Sequence, residues 1–94
     1  MTGITYDPAK REATLGARGL DFDHALLVFD GPTVDSLDER FDYGEIRRVT
    51  VGLLVGRMVI VVWTPRDDAR HIISMRKANA REQRRFGHRF EEDR

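Results

Sequence analysis

Hydrophobic positions near the start of the chain follow the 3.6-residue period of an α-helix. Asp7 and Pro8 form a typical helix start, alanines then recur every fourth residue, and Gly19 suits a helix end. After a second candidate N-cap at Asp21, four apolar residues fall at i, i+3, i+4 and i+7. The pattern predicts a short strand at residues 4–6 and helices over residues 8–18 and 22–29.

From residue 46 onward the hydrophobic period changes to two, which is typical of strands. Alternation over residues 49–55 leads through a turn at Gly56 and Arg57 into residues 58–63, which are apolar on both faces and predict a central strand. The remaining predicted elements are an edge strand at residues 33–37, a loop at residues 65–69 and a third strand at residues 70–75.

The last predicted element is a helix that begins at Asn79. Glu82 follows three residues later, which is the spacing of a capping box, and Phe86 and Phe90 supply an inward face. The order of elements predicts an α+β fold: a small antiparallel sheet of three to five strands, two N-terminal helices and one C-terminal helix. We expect the helices to cover one sheet face, residues 1–94 to form a single domain and residues 91–94 to fray.

Composition changes this picture mainly through charge. The 94 residues contain 16 basic and 16 acidic side chains and no cysteine, with no apolar run near the ~18 residues of a membrane span. Residues 1–45 carry a net charge of −6, whereas residues 46–94 carry +6. Either the halves face each other or a basic surface serves an anionic partner. No secretory signal is present, so the expected location is cytoplasmic, without a membrane partner.

Motifs for metal, covalent-serine or dinucleotide chemistry are missing from the sequence. The three histidines lie in separate predicted elements, so we expect no metal and no cofactor. Arginine forks suit phosphate oxygens, and RNA adds a 2′-hydroxyl that can attack its own phosphate. Simple alternation places His71 on the face opposite Ser74 and Arg76, so we expect it to be structural.

Six short motifs resemble the BrnT family of bacterial toxins. They are Tyr6-Asp7-Pro8-x-Lys10, Arg18-Gly19-x-x-Phe22, Val28-Phe29-Asp30-x-Pro32, Gly44-Glu45-x-Arg47, Ile72-Ile73-Ser74-Met75-Arg76-Lys77-Ala78 and Arg81-Glu82-x-Arg84-Arg85. The resemblance implies a RelE-like fold, a metal-independent endoribonuclease that arrests growth, and a hetero-oligomer with a BrnA-like antitoxin. Such antitoxins look like ribbon-helix-helix proteins, so operator DNA would be bound only through the complex.

Candidate site residues follow from the basic positions together with this resemblance. The expected catalytic residues are Glu45, Arg47 and Arg76, on one shared sheet face. Glu45 would act as the base, and the two arginines would stabilise negative charge. The RNA backbone would be held by Lys10, Arg18, Lys77, Arg81 and Arg84.

Other interpretations remain open at this point. Glu45 and Arg47 would serve equally well as a plain salt bridge. The chain departs from the family pattern at Ala17-Arg18, Phe41-Asp42, His71 and Phe86. A catalytically decayed toxin, or a non-enzymatic module that binds a partner through its basic C-terminal helix, is the main alternative. A general nucleic-acid-binding regulator is a third.

Overall fold

A computed structural model describes residues 3–91 as a five-stranded sheet with three α-helices. The elements are β1 (Ile4–Tyr6), α1 (Pro8–Arg18), α2 (Ala25–Asp30), β2 (Thr33–Leu37), β3 (Arg48–Leu54), β4 (Arg57–Arg66), β5 (Ala69–Lys77) and α3 (Ala80–Glu91). A 3₁₀ turn at Phe22–His24 leads directly into α2. Of the predicted frayed segment, Glu91 ends α3 and residues 92–94 lie outside the described residues.

The sheet has the strand order β1-β5-β4-β3-β2, with β4 near the centre as predicted. Strands β2 to β5 pair antiparallel, whereas β1 pairs parallel with β5. The prediction of a purely antiparallel sheet is therefore wrong at this edge. The pairing of β1 joins residues more than sixty positions apart, which local periodicity cannot determine.

Two tight turns correct the predicted strand boundaries. Val55 and Gly56 join β3 to β4 with φ angles of 50° and 75°, and Asp67 and Asp68 join β4 to β5 with 51° and 63°. Two consecutive residues with positive φ are typical of the two-residue turns that connect antiparallel strands. The predicted loop at residues 65–69 is therefore wrong, because β4 continues through Arg66.

Helices pack on both faces of the sheet. Val59, Val61 and Trp63 of β4 join Phe22 and Val28 in the main core on the α2 side of the sheet, together with Leu20, Ala25, Ile72 and Met75. Ile60, which alternates with them, belongs to a smaller core with Val51, Ala78 and Phe90 on the α3 side. The expectation that all helices cover one face is wrong, because β4 is apolar on both faces and each face needs cover.

Local hydrogen bonds explain where the helices begin and end. Asp7 accepts a bond from the Ala9 amide at 2.9 Å, and Gly19, with φ of 68°, closes α1 by donating to the Leu15 carbonyl. The capping box of α3 is confirmed. The backbone N–H of Glu82 donates to Asn79 Oδ1 at 2.8 Å, and the backbone N–H of Asn79 donates to Glu82 Oε1 at 2.9 Å. None of the helices within residues 3–91 has both the length and the apolar character that crossing a membrane requires.

A register shift between β4 and β5 reorients half of β5. Trp63 pairs with Ile72 and Val62 pairs with Ser74, which leaves Ile73 as an extra residue in β5. Beyond the shift the alternation of side chains changes phase. His71 lies opposite Thr64, Ser74 opposite Val62 and Arg76 opposite Ile60, all on the α3 side of the sheet. The prediction that His71 faces away from Ser74 and Arg76 is therefore wrong.

Candidate active site

Part of the α3 side of the sheet carries polar side chains that remain at least partly exposed. We call this surface the open face and define it by Glu45, Arg47, Arg66, His71 and Ser74. Arg66 and His71 belong to it by strand register, and Arg47 by its alternation with Val49 and Val51 of the smaller core. Glu45 joins the surface through its contact with Arg66.

Glu45 and Arg47, predicted to share a strand face, do contact each other. Arg66 Nη2 donates to Glu45 Oε1 at 3.1 Å, and Arg47 Nε lies 3.5 Å from Glu45 Oε2. The Arg47 guanidinium also stacks on the Tyr43 ring, 3.8 Å from its centroid. Its Nε atom is buried and makes no hydrogen bond to any residue within the described range. A guanidinium that is fixed by Glu45 and Tyr43, with 27% of its side chain still exposed, suits contact with an anionic ligand.

Arg66 was missed by sequence reasoning because it lies in the segment predicted as a loop. The Asp67-Asp68 pair, a common turn sequence, was the available signal that β4 extends to Arg66.

His71 is held by the strand next to it. Its Nδ1 lies 2.9 Å from the Thr5 hydroxyl, across the parallel pairing of β1 with β5. Burial lowers the pKa of His71 below the ordinary value of about 6.5, and the charges of Arg66 and Lys10 lower it further, while those of Glu45 and Asp7 oppose them. The imidazole is therefore mainly neutral near pH 7.

The polar face of α1 forms one wall of a groove along β5. Lys10, Thr14 and Arg18 line a cavity of about 310 Å³ with Ile73 and Ser74. The three α1 residues thus lie beside the sheet. Arg18 Nη1 also donates to the Met75 carbonyl at 2.9 Å, at the level where β1 no longer pairs with β5.

The structure does not bring Arg76 together with Arg47, contrary to prediction. The two residues lie on the same side of the sheet, but they are two strand spacings and four residue levels apart, roughly 16 Å between Cα atoms. Arg76 instead forms two 2.8 Å bonds with Glu82, which lower the pKa of that carboxyl to about 2. The capping glutamate of α3 thus engages the guanidinium that was expected to face RNA.

The other predicted RNA-binding residues also lie away from Arg47. Lys77 is exposed and pairs with Val59, so it points to the α2 side of the sheet. Arg81 and Arg84 are exposed on α3. Within residues 3–91, no three histidine, aspartate or glutamate side chains come together in a way that would hold a metal ion.

A family model described as "Ribonuclease toxin, BrnT, of type II toxin-antitoxin system" matches residues 6–82, which is most of the chain. The chain belongs to the BrnT family. Comparison with the curated proteins found no match. BrnT membership makes the chain a member of a family of ribonuclease toxins and implies an antitoxin partner. In this BrnT chain, the matched residues include α1, β5 and every residue of the open face.

Proposed function

We propose that this chain is an active endoribonuclease toxin that cleaves single-stranded RNA by attack of a 2′-hydroxyl, without a metal, and arrests growth until an antitoxin neutralises it. The observation that carries the proposal is the cluster on the open face: Arg47, stacked on the Tyr43 ring, and Arg66, both held by Glu45. Fixed guanidiniums stabilise the negative charge that develops on phosphorus oxygens.

The roles of individual residues follow from these contacts. Arg47 and Arg66 would contact the scissile phosphate, and Lys10 and Arg18 would hold the backbone in the groove beside β5. Glu45, expected as the base, has each carboxylate oxygen beside a guanidinium, which suits holding those cations in place. Arg76, Arg81 and Arg84 would contact flanking phosphates, Arg76 through the exposed part of a side chain that is 42% accessible, whereas Lys77 points to the opposite side of the sheet.

The wider assignments rest on family membership and are proposals for this chain. The fold would be RelE-like and the toxin would act in the cytoplasm. Its partner would be a BrnA-like ribbon-helix-helix antitoxin, and the hetero-oligomer of toxin and antitoxin would bind operator DNA through the antitoxin.

Incubation of the purified protein with RNA or DNA in EDTA tests the proposed activity. We expect cleavage of RNA alone and a loss of at least about 100-fold in Arg47→Ala, the size seen when one group stabilising transition-state charge is removed. Arg57→Ala is the matched control, because Arg57 is exposed at the opposite end of β4. DNA cleavage equal to RNA cleavage would rule out 2′-hydroxyl chemistry.

A second candidate is a partner-binding module that has lost catalysis. It is favoured by exposed apolar side chains around a cavity of about 380 Å³: Leu37, Phe41 and Ile46 are 50%, 68% and 59% exposed. Exposed apolar clusters are typical of protein interfaces. Binding of RNA without cleavage in the same assay would support this candidate over the enzyme.

A further inference from the structure

We propose that His71 is the general base of the reaction described above, an inference that rests on the proposed ribonuclease function. The register shift at Ile73 turns the imidazole toward the surface that carries Arg47 and Arg66. Without the extra residue, alternation would point His71 to the α2 side of the sheet, away from both arginines.

The position of His71 suits proton transfer at a phosphate held by these arginines. Arg66 lies diagonally across β4 and β5 from His71, a relation that places Cα atoms roughly 7–8 Å apart. Thr64 of β4 pairs directly with His71 of β5. Arg47, just before β3, lies at the same level on the other side of β4. A nucleotide phosphate placed between the arginines would bring its ribose within reach of the imidazole.

Burial lowers the pKa of His71 and so favours the neutral, basic ring, while the hydrogen bond to Thr5 bears on which nitrogen carries the proton. A Thr5 hydroxyl that accepts from Nδ1–H leaves the lone pair on Nε2 free. The charged groups that face the ring are Arg66 from β4, Glu45 from the segment before β3, and Asp7 and Lys10 at the start of α1. Glu45 is a weaker candidate for the base, since both of its oxygens already contact guanidiniums.

The step balances without a cofactor. Nε2 of His71 removes the proton of the 2′-hydroxyl while O2′ forms a bond to phosphorus. The bond between phosphorus and O5′ breaks, and O5′ leaves with the electron pair and takes a proton from water. The products are a 2′,3′-cyclic phosphate and a 5′-hydroxyl, and the imidazolium returns its proton to solvent.

The pH dependence of RNA cleavage in EDTA tests this role. For the wild type, kcat/KM is expected to rise with pH through a pKa below about 6.5 and then level off, because the neutral imidazole is the active form. His71→Asn is expected to lower kcat/KM by about 100-fold to 10,000-fold and to remove this rise, with RNA affinity within about threefold of wild type. His24→Asn, a change at an exposed histidine beside α2, is the matched control.

Each outcome bears on one proposal. If the wild type cleaves RNA and His71→Asn retains both its rate and its pH profile, the role of His71 is wrong while the ribonuclease function stands. If the wild type binds RNA without cleaving it, the ribonuclease function fails. In that case the ¹⁵N spectrum of His71 with uncleavable 2′-O-methyl RNA tests whether the imidazole lies beside bound RNA. We expect an Nδ1–H tautomer whose Nε2 signal shifts when RNA binds. An unchanged Nε2 signal would contradict this placement of the ring.

Discussion

Thr50 links the sheet core to the edge strand through one hydroxyl group. Trp63 Nε1 donates to the Thr50 hydroxyl at 2.8 Å, and that hydroxyl donates to Asp35 Oδ1 at 2.6 Å. Thr50 is fully buried and Trp63 is 5% exposed, so water cannot replace these bonds easily. The chain of bonds fixes the indole at the centre of the sheet, where it also packs edge-on against Phe29.

Thr50→Val is expected to lower the free energy of unfolding by about 1–3 kcal/mol, because the change keeps the shape but leaves the buried indole N–H without an acceptor. Urea denaturation at neutral pH measures the effect. Thr50→Ser, which keeps the hydroxyl and loses one methyl group, is expected to cost only about 1 kcal/mol. Equal losses in the two variants would show that packing, and not hydrogen bonding, determines the role of Thr50.

Single residues also mark the limit of what the sequence predicts about the site. The Glu45 and Arg47 contact could be predicted because residues two apart share a strand face. The position of His71 could not be predicted, because one extra residue in β5 reverses the alternation of side chains. No local sequence pattern indicates that extra residue. The pairing of Arg76 with Glu82 escaped prediction because capping and phosphate binding compete for the same charges.

At the level of elements, the ends of helices could be predicted from local chemistry more reliably than the sheet face that each helix covers. The ends of α1 and the start of α3 were predictable because Asp7, Gly19 and Asn79 satisfy backbone groups within a few residues. Which sheet face a helix covers depends on distant packing. α3 covers the side opposite α2, because Phe90 packs there against Val51 and Ile60.

Contact between α2 and β3 depends on a glycine. A Cβ atom added at Gly52 would lie 2.6 Å from Val28 Cγ1 and 3.5 Å from the Pro32 carbonyl oxygen. Gly52→Ala is therefore expected to destabilise the fold by about 1–3 kcal/mol in thermal or urea unfolding. Gly16→Ala in α1, where an added Cβ meets nothing within 4 Å, is expected to stabilise by about 0.5–1 kcal/mol. A neutral Gly52→Ala would contradict the close approach of α2.

Glu82 makes the start of α3 sensitive to acid. Its pKa falls from 4.5 to about 2, mainly through the hydrogen bond from Arg76. Because the folded-state pKa is the lower one, this contribution to stability is fully present above about pH 4.5 and is lost as the pH falls toward 2. Asp21 and Asp38, with pKa values also of about 2, contribute in the same direction through Arg11 and Arg40.

Glu82→Gln is expected to reduce stability by about 1–2 kcal/mol at pH 7 and to flatten the decline below pH 4.5, since the amide can no longer pair with Arg76 as an anion. Unfolding followed by circular dichroism across pH 2–7 measures both effects. Glu12→Gln is the control, because Glu12 is 73% exposed and lies 3.4 Å from Arg11. Identical pH profiles for the two variants would contradict the coupling of Arg76 to the cap.

At the scale of the whole molecule, the acidic and basic halves neutralise each other only locally. Among ion pairs of the described residues, Glu45 alone joins the halves, through Arg47 and Arg66. The remaining pairs form within one half, as Arg11 does with Asp21 and Arg76 with Glu82. Much of the excess positive charge of the second half, including exposed Arg81 and Arg84 on α3, is thus available to an anionic partner.

Cleavage of an RNA oligonucleotide in EDTA, compared with matched oligonucleotides that carry a single 2′-deoxyribose at each successive position, tests the central claim most directly. If the open face holds a phosphate while the adjacent 2′-oxygen attacks it, one deoxyribose at the cleaved position should abolish cleavage there, and the products of normal RNA should carry 2′,3′-cyclic phosphate and 5′-hydroxyl ends. Cleavage that tolerates the deoxyribose, or products with 5′-phosphate ends, would contradict the account.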